Sequence, residues 1–187
     1  MSNVWIVSDT HFGHEGVCRF THNDGVTKIR PWEKAEDMDA AMVELWNDRV
    51  RPKDKVYHLG DVVINRKALG LLNRLHGDKV LIRGNHDIFK LNDYVKYFRD
   101  IRSYHILDGL VFSHVPVHPE SLGRHRANVH GHLHVNHVMI DCPLCLKTEK
   151  DPRYLNVSVE QTDFAPIELS EVIRRVAEQQ SFTHTCS

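Results

Sequence analysis

The chain has 187 residues, a formal net charge of −1 and ordinary shares of apolar and charged side chains, enough for one domain with a real core and short for two. Nothing in it resembles the basic stripe of a protein that coats duplex nucleic acid, and no apolar run approaches a membrane span. Four cysteines are few for a disulfide scaffold, whereas 15 histidines are many, and histidine is the commonest metal ligand.

Val4 to Val7 reads as a first buried strand, entered with no charged segment and apolar core of a secretory signal before it, so a reduced cytoplasmic setting is expected. Ser8-Asp9-Thr10-His11-Phe12-Gly13-His14 follows. On a continuing extended backbone, Asp9 and His11 point to one side. Residues 16 to 30 read as an irregular loop. A helix is expected from Glu33 to Val50, with Met38, Ala41, Met42, Leu45 and Trp46 as its apolar stripe and Asp37, Asp39 and Glu44 on its solvated face. Val56 to Leu59 is a second strand, closed by Gly60-Asp61. Asn65 to Leu75 reads as a helix.

Lys79 to Asp87 is the stretch the chain turns on. An apolar run, Val80 to Ile82, breaks at Gly84, which can take backbone angles that a side chain forbids. Asn85, His86 and Asp87 follow at once. A short helix is expected between Ile88 and Phe98, a strand from Asp100 to Leu107, a hairpin turn at Asp108-Gly109 and a strand from Leu110 to Ser113 that delivers His114. Arg124, His125 and Arg126 lie in a loop before Asn128 to His130, which leads into Gly131-His132-Leu133-His134. Val135 to Ile140 reads as a strand, Asp141 to Asp151 as a polar loop holding Cys142-x-x-Cys145, and Tyr154 to Val159 as a last strand. Ser170 suits the N-cap of a closing helix that buries Val172, Ile173 and Val176. One domain spanning 1–187 is expected, with 181–187 a frayed tail.

One grammar recurs five times: an apolar run ends, and metal-competent groups follow. The sets are Asp9/His11, Asp61, Asn85/His86, His114 and His132/His134. In open α/β sheets, functional groups collect beyond the carboxyl ends of the strands. Two carboxylates, an amide and four imidazoles exceed the needs of one tetrahedral zinc. They suit two divalent ions of the Mn, Fe or Zn type, which roughly 3.5–4 Å apart clamp the attacking and departing oxygens of a phosphoryl transfer.

Asp9-x-His11, Gly60-Asp61, Gly84-Asn85-His86-Asp87, His114 and Gly131-His132-x-His134 occur in the order found in the calcineurin-like metallophosphoesterases. The chain resembles the compact prokaryotic and phage members of that family, without a cap domain. The resemblance implies an α/β fold, a four-layer α/β/β/α sandwich with two central sheets flanked by helices. It implies that Asp9, His11 and His134 hold one metal, that Asn85, His114 and His132 hold the other, and that Asp61 bridges. It makes a phosphodiester or phosphomonoester the substrate, attacked by a metal-bridging hydroxide, with His86 protonating the leaving group and Asp87 orienting His86. Manganese is the expected metal, with Fe, Zn, Ni or Mg as alternatives.

The expected partner is a small phosphoester or nucleotide, with a small nucleotide-type phosphodiester preferred. A nuclease or nucleic-acid-end phosphatase is the alternative, followed by a scaffold that has lost its chemistry. Arg124, His125 and Arg126 are candidate substrate contacts, weighed against a solvated basic loop. His14, His58, His118 and Arg83 are candidate supports for the site, weighed against ordinary surface or turn positions. For Cys142 and Cys145 a plain surface loop is preferred to a zinc site.

Overall fold

The computed structural model describes residues 2–142 and 147–181. Two mixed sheets face each other. The first has the order β11-β1-β2-β3-β4, built from β1 (Val4–Val7), β2 (Lys55–His58), β3 (Asp78–Ile82), β4 (Asp100–Arg102) and β11 (Ile167–Glu168). Its first four strands are parallel, and β11 runs antiparallel against β1. Strands covered on both faces read as unbroken apolar runs, which is why β1 and β3 are plain in the sequence.

The second sheet has the order β10-β7-β6-β5, from β5 (Tyr104–Leu107), β6 (Leu110–Ser113), β7 (Ala127–His130) and β10 (Tyr154–Asn156). Strands β5 and β6 form the expected hairpin, with Asp108 and Gly109 at φ 51° and 75°, the left-handed pair that a tight hairpin turn requires.

Ile6, Val80 and Ile82 of the first sheet meet Leu110, Phe112 and Val129 of the second in one buried cluster. Helix α3 (Leu169–Ser181) buries Val172 and Val176 in the same cluster. Helix α1 (Ala35–Arg49) covers the other face of the first sheet, packing Met38, Met42 and Trp46 against Val7, Val56 and Leu81. The outer layer on the second sheet is thin: a 3-10 turn, Pro119–Leu122, sets Leu122 against Val111 and Tyr154. Among the described residues, no helix is long and apolar enough to cross a membrane.

Several local expectations are corrected. Arg66–Asn73 is 3-10 rather than α-helical; Gly70 at its middle weakens any α-helix there. The expected strand 100–107 is two strands, because the chain passes from the first sheet to the second at Ser103. Only Met139–Asp141 of the expected strand 135–140 is extended; this β8 pairs with β9 (Thr148–Lys150), inside the segment read as loop. Helix α3 begins at Leu169, so Ser170 lies in its first turn instead of capping it. A one-turn helix α2 (Leu91–Tyr94) follows β3. The tail 182–187 and Cys145 lie outside the described residues.

Candidate metal centre

The parallel strands deliver their carboxyl ends to one edge of the sandwich. Beyond β1, the chain turns sharply at Asp9 and His11, whose φ values are 59° and 50°. The expected extended continuation is therefore wrong: the two side chains converge through left-handed turns. Asp61, His132 and His134 are also left-handed, at 56°, 69° and 51°. Each such residue costs on the order of 1 kcal/mol, so the surrounding bonds must hold it. They do so for Asp9 and His11, whose amides donate to Gly60 O and Asp61 O at 3.0 Å each.

Glycine makes room for two ligands. A methyl group on Gly84 would collide with Asp61, and one on Gly131 with Ser8 Oγ and the Asp9 carboxylate. The φ of Gly84 is not in the left-handed range, so its value here is space and not the angular freedom expected of it.

The candidate ligands fall into two groups, Asp9, His11 and His134, and Asp61, His114 and His132. In each group one ligand atom per residue lies within 4.8 Å of the others. His11 Nε2 is 3.8 Å from Asp9 Oδ1, and His134 Nε2 is 4.0 Å from it. Ligands about 2.0–2.2 Å from one ion stand roughly 3 Å apart at right angles and about 4.3 Å apart when opposed, so these spacings suit a shared ion. Asp61 Oδ2 connects the groups, lying 3.7 Å from His11 Nε2 and 3.3 Å from His114 Nε2. Its other oxygen accepts the His86 amide at 2.8 Å. Asn85 Oδ1 joins the second group, 2.8 Å from His114 Nε2.

The donors fit cations. His11 is 3% exposed, yet neither ring nitrogen has a hydrogen-bond partner; such an orphan is costly unless something absent from the protein completes it. His114 Nδ1 faces Leu59 O at 2.8 Å. A carbonyl only accepts, so that nitrogen carries a proton, and in the neutral ring Nε2 turns its lone pair toward Asn85 Oδ1 and Asp61 Oδ2. Acceptors converging in this way need a positive charge between them. In the protein alone, burial pulls the His114 pKa down, but Asp61 and Asp9 outweigh it and raise it. Burial dominates at Asp9, whose carboxyl is pushed up, and at His11, held well below its ordinary value by burial and then by Arg30.

Two supporting residues had no local signal in the sequence. Glu160 Oε1 sits 3.0 Å from His134 Nδ1, fixing the tautomer that leaves Nε2 free for a metal. Arg30, 1% exposed, donates to the same oxygen from Nε and a terminal nitrogen at 2.8 and 2.7 Å, and also to Asp9 O and Thr10 O. Burial opposes the charge on Glu160, but His134 and Arg30 prevail and hold its pKa at about 2. Ser158 Oγ donates to Asp9 Oδ2 at 3.0 Å.

Other expectations are met or revised residue by residue. His86 is exposed, with its ring 5.6 Å from that of His11, centre to centre. Asp87 does not orient that ring: its carboxylate accepts the amides of Asp61, Val62 and Gly84 at 2.8–2.9 Å, tying the turn after β3 to the turn after β2. Arg83 braces the same turn through Asp87 O and Phe89 O.

Buried His58 bonds to Thr10 Oγ1 and the Gly60 amide, and burial lowers its pKa to about 3. The His14 ring neighbours that of His11, and His118 caps the Pro119–Leu122 turn. Asp39 is not solvated; it is 7% exposed and accepts the Gly13 amide through both oxygens.

Of the three candidate substrate contacts, His125 lines a groove with Asn85 and His114. Arg124 is exposed, without a hydrogen bond or ion pair among the described residues. Arg126 is corrected: it donates to Asp108 O at the β5–β6 turn. That places it at the start of β7, a strand's length from His130 and away from the ligands.

Comparison with known proteins agrees with this geometry. The family model for calcineurin-like phosphoesterases matches residues 2–165. The chain is 32% identical over 182 residues to the uncharacterised protein MJ1445 of Methanocaldococcus jannaschii, covering 94% of this chain and 92% of that one. It is 39% identical over 92 residues to the gene 66 protein of Mycobacterium phage D29, covering 46% and 41%. In fold it is similar to the crystal structure of AQ665, a protein of unknown function from Aquifex aeolicus, with a TM-score of 0.68, 24% identity and coverage of 93% and 99%. With these matches and two ligand groups suited to a dinuclear centre, the chain belongs to the calcineurin-like phosphoesterase family.

Proposed function

We propose that the protein is a metal-dependent phosphoric ester hydrolase acting on a small phosphodiester of nucleotide type. The observation that carries this reading is Asp61 Oδ2, placed within 4 Å of a histidine from each ligand group. Asp9, His11 and His134 would hold one ion, Asn85, His114 and His132 the second, and Asp61 both. The mixed nitrogen and oxygen set suits ions of the Mn, Fe or Zn type, and manganese is the ion this reading takes, on the ground that availability decides among them. The bound pair supplies positive charge to the phosphoryl oxygens and activates water at neutral pH.

The protein's own groups do the rest. Glu160 and Arg30 keep His134 in one tautomer, and Ser158 and the His132 amide hold Asp9. Exposed His86 is positioned by its own amide, bonded to Asp61, and in this reading gives its proton to the departing alkoxide. Asp87 acts as a positioning residue for the turn that carries His86. A diester is favoured because two grooves border the ligands, one beside Asn85 and His114 and one beside His132 and His134. A phosphorus centre between them has room for a substituent on either side. The reading includes a cytoplasmic setting.

The test is a screen of mono- and diesters with Mn, Ni, Mg and Zn added in turn. Metal-dependent turnover that is faster on diesters supports the proposal. Turnover on monoesters alone removes its diester component. Absence of metal-dependent ester hydrolysis removes the proposal.

A further inference from the structure

The groove beside Asn85 and His114 has a volume of about 700 Å³, ample for a nucleotide-sized ligand. Its floor is one face of the β5–β6 hairpin. Tyr104 stands opposite Ser113 and Ile106 opposite Val111, and residues paired in this way share a face; all four line the groove. The opposite face of the hairpin sends Leu107, Leu110 and Phe112 into the core. The thin outer layer stops short of β5, leaving Tyr104 59% exposed and Ile106 44% exposed, and Val115, which also lines the groove, is 47% exposed. Apolar side chains gathered around a concavity mark a binding surface more than a solvent face. This one runs directly onto two candidate metal ligands, Asn85 and His114.

We infer that this groove is the subsite for a planar heterocyclic substituent of the ester, a nucleobase or a group like it, stacked on Tyr104 and packed by Ile106 and Val115. The inference rests on the phosphoesterase reading and names the class of substrate that reading leaves open. A plain alkyl chain would need apolar walls alone. Here Ser103, Ser121 and His125 also line the groove, and the two serines are exposed without a side-chain hydrogen bond among the described residues. They are donors and acceptors suited to the edges of a base. An aromatic ring with a free face beside such groups is how sequence-tolerant base binding is built. Tyr104 is a specificity residue in this account and takes no part in the chemistry.

The experiment is calorimetric titration of the protein, manganese-loaded and metal-free, with the non-hydrolysable methylenephosphonate analogues of AMP and of ribose 5-phosphate, and with octylphosphonate. The AMP analogue is expected to bind roughly tenfold tighter than the ribose analogue, the gain of one stacked base. Tyr104→Leu should reduce that ratio to within about twofold, and Tyr104→Phe should retain it. Tyr104 is largely exposed, so neither change threatens folding. The inference is overturned if the wild-type ratio is near one, if Tyr104→Leu leaves it intact, or if octylphosphonate matches the AMP analogue. If binding of the phosphonates does not depend on metal at all, the phosphoesterase reading falls and takes the subsite with it.

Discussion

Replacing Glu160 by Gln tests the charge that sits between Arg30 and His134 behind the metal centre. Glu160 Oε1 meets Arg30 at 2.7 and 2.8 Å and His134 Nδ1 at 3.0 Å, while Oε2 has no partner. A glutamine can keep its carbonyl where Oε1 was and still face Arg30 and His134, although its amide NH2 then takes the unpartnered place of Oε2 and adds about 1–3 kcal/mol of its own cost. What it removes is the negative charge facing the Arg30 guanidinium, itself 1% exposed. An uncompensated buried charge costs about 3–5 kcal/mol. At about 2–4 °C per kcal/mol for a chain of this size, the lost charge alone should lower the melting temperature by roughly 6–20 °C. The neutral partner also makes His134 a weaker ligand, so metal affinity should drop about 10–100-fold. Manganese titrations below the new melting point measure the second effect, and thermal unfolding of the metal-free protein measures the first. A destabilised variant whose manganese affinity stays within twofold of wild type would show that the Glu160 charge serves Arg30 alone, and the claim that this charge strengthens His134 as a ligand would be refuted.

Three other outcomes are expected. His86→Ala should slow hydrolysis of an ester with an alkyl leaving group by roughly 10²–10⁴-fold but scarcely affect one releasing p-nitrophenolate, which departs without a proton; equal losses on both would end the proton-donor assignment. Gly131→Ala forces a methyl group against Ser8 Oγ and the Asp9 carboxylate, an overpacking worth about 1–3 kcal/mol that should appear as both a lower melting temperature and weakened metal binding; an unchanged melting curve would contradict the collision. Burial raises the Asp39 carboxyl from its ordinary 3.8 to about 6, so the folded state holds that proton more tightly than the unfolded state does. Its contribution therefore favours the fold below pH 4 and is lost as pH rises to about 6, a decline of up to about 3 kcal/mol. Denaturant titrations from pH 4 to 7 should show that decline in the wild type and a flatter profile in Asp39→Asn; parallel profiles would refute the assignment.

The sequence exposes β1 and β3 because each is a short, two-sided apolar run that stops abruptly at a polar group. It exposes the β5–β6 turn because Asp-Gly between extended segments has few other uses. It hides Arg30 and Glu160, 130 residues apart, because only the closed fold makes them neighbours, and each alone looks like a surface charge. Asp39 misled for a related reason: it follows Met38 on a helix whose polar residues mostly face water, and the loop amide it accepts comes from elsewhere in the chain. The split at Ser103 left only a slight mark, two successive polar residues, Arg102 and Ser103, that shift the alternation between Ile101 and Tyr104. Arg126 shows the opposite error. Lying near His132 in sequence, it is carried by β7 to the far end of the sheet.

The proposed chemistry depends on two cations sharing Asp61. Elemental analysis of the reconstituted protein, run beside its Asp61→Asn variant and a hydrolysis assay on the same samples, tests it most directly. Two divalent ions per wild-type chain are expected, with both full occupancy and ester hydrolysis lost in the variant. A single ion at saturation in the wild type, or undiminished hydrolysis in Asp61→Asn, would contradict it.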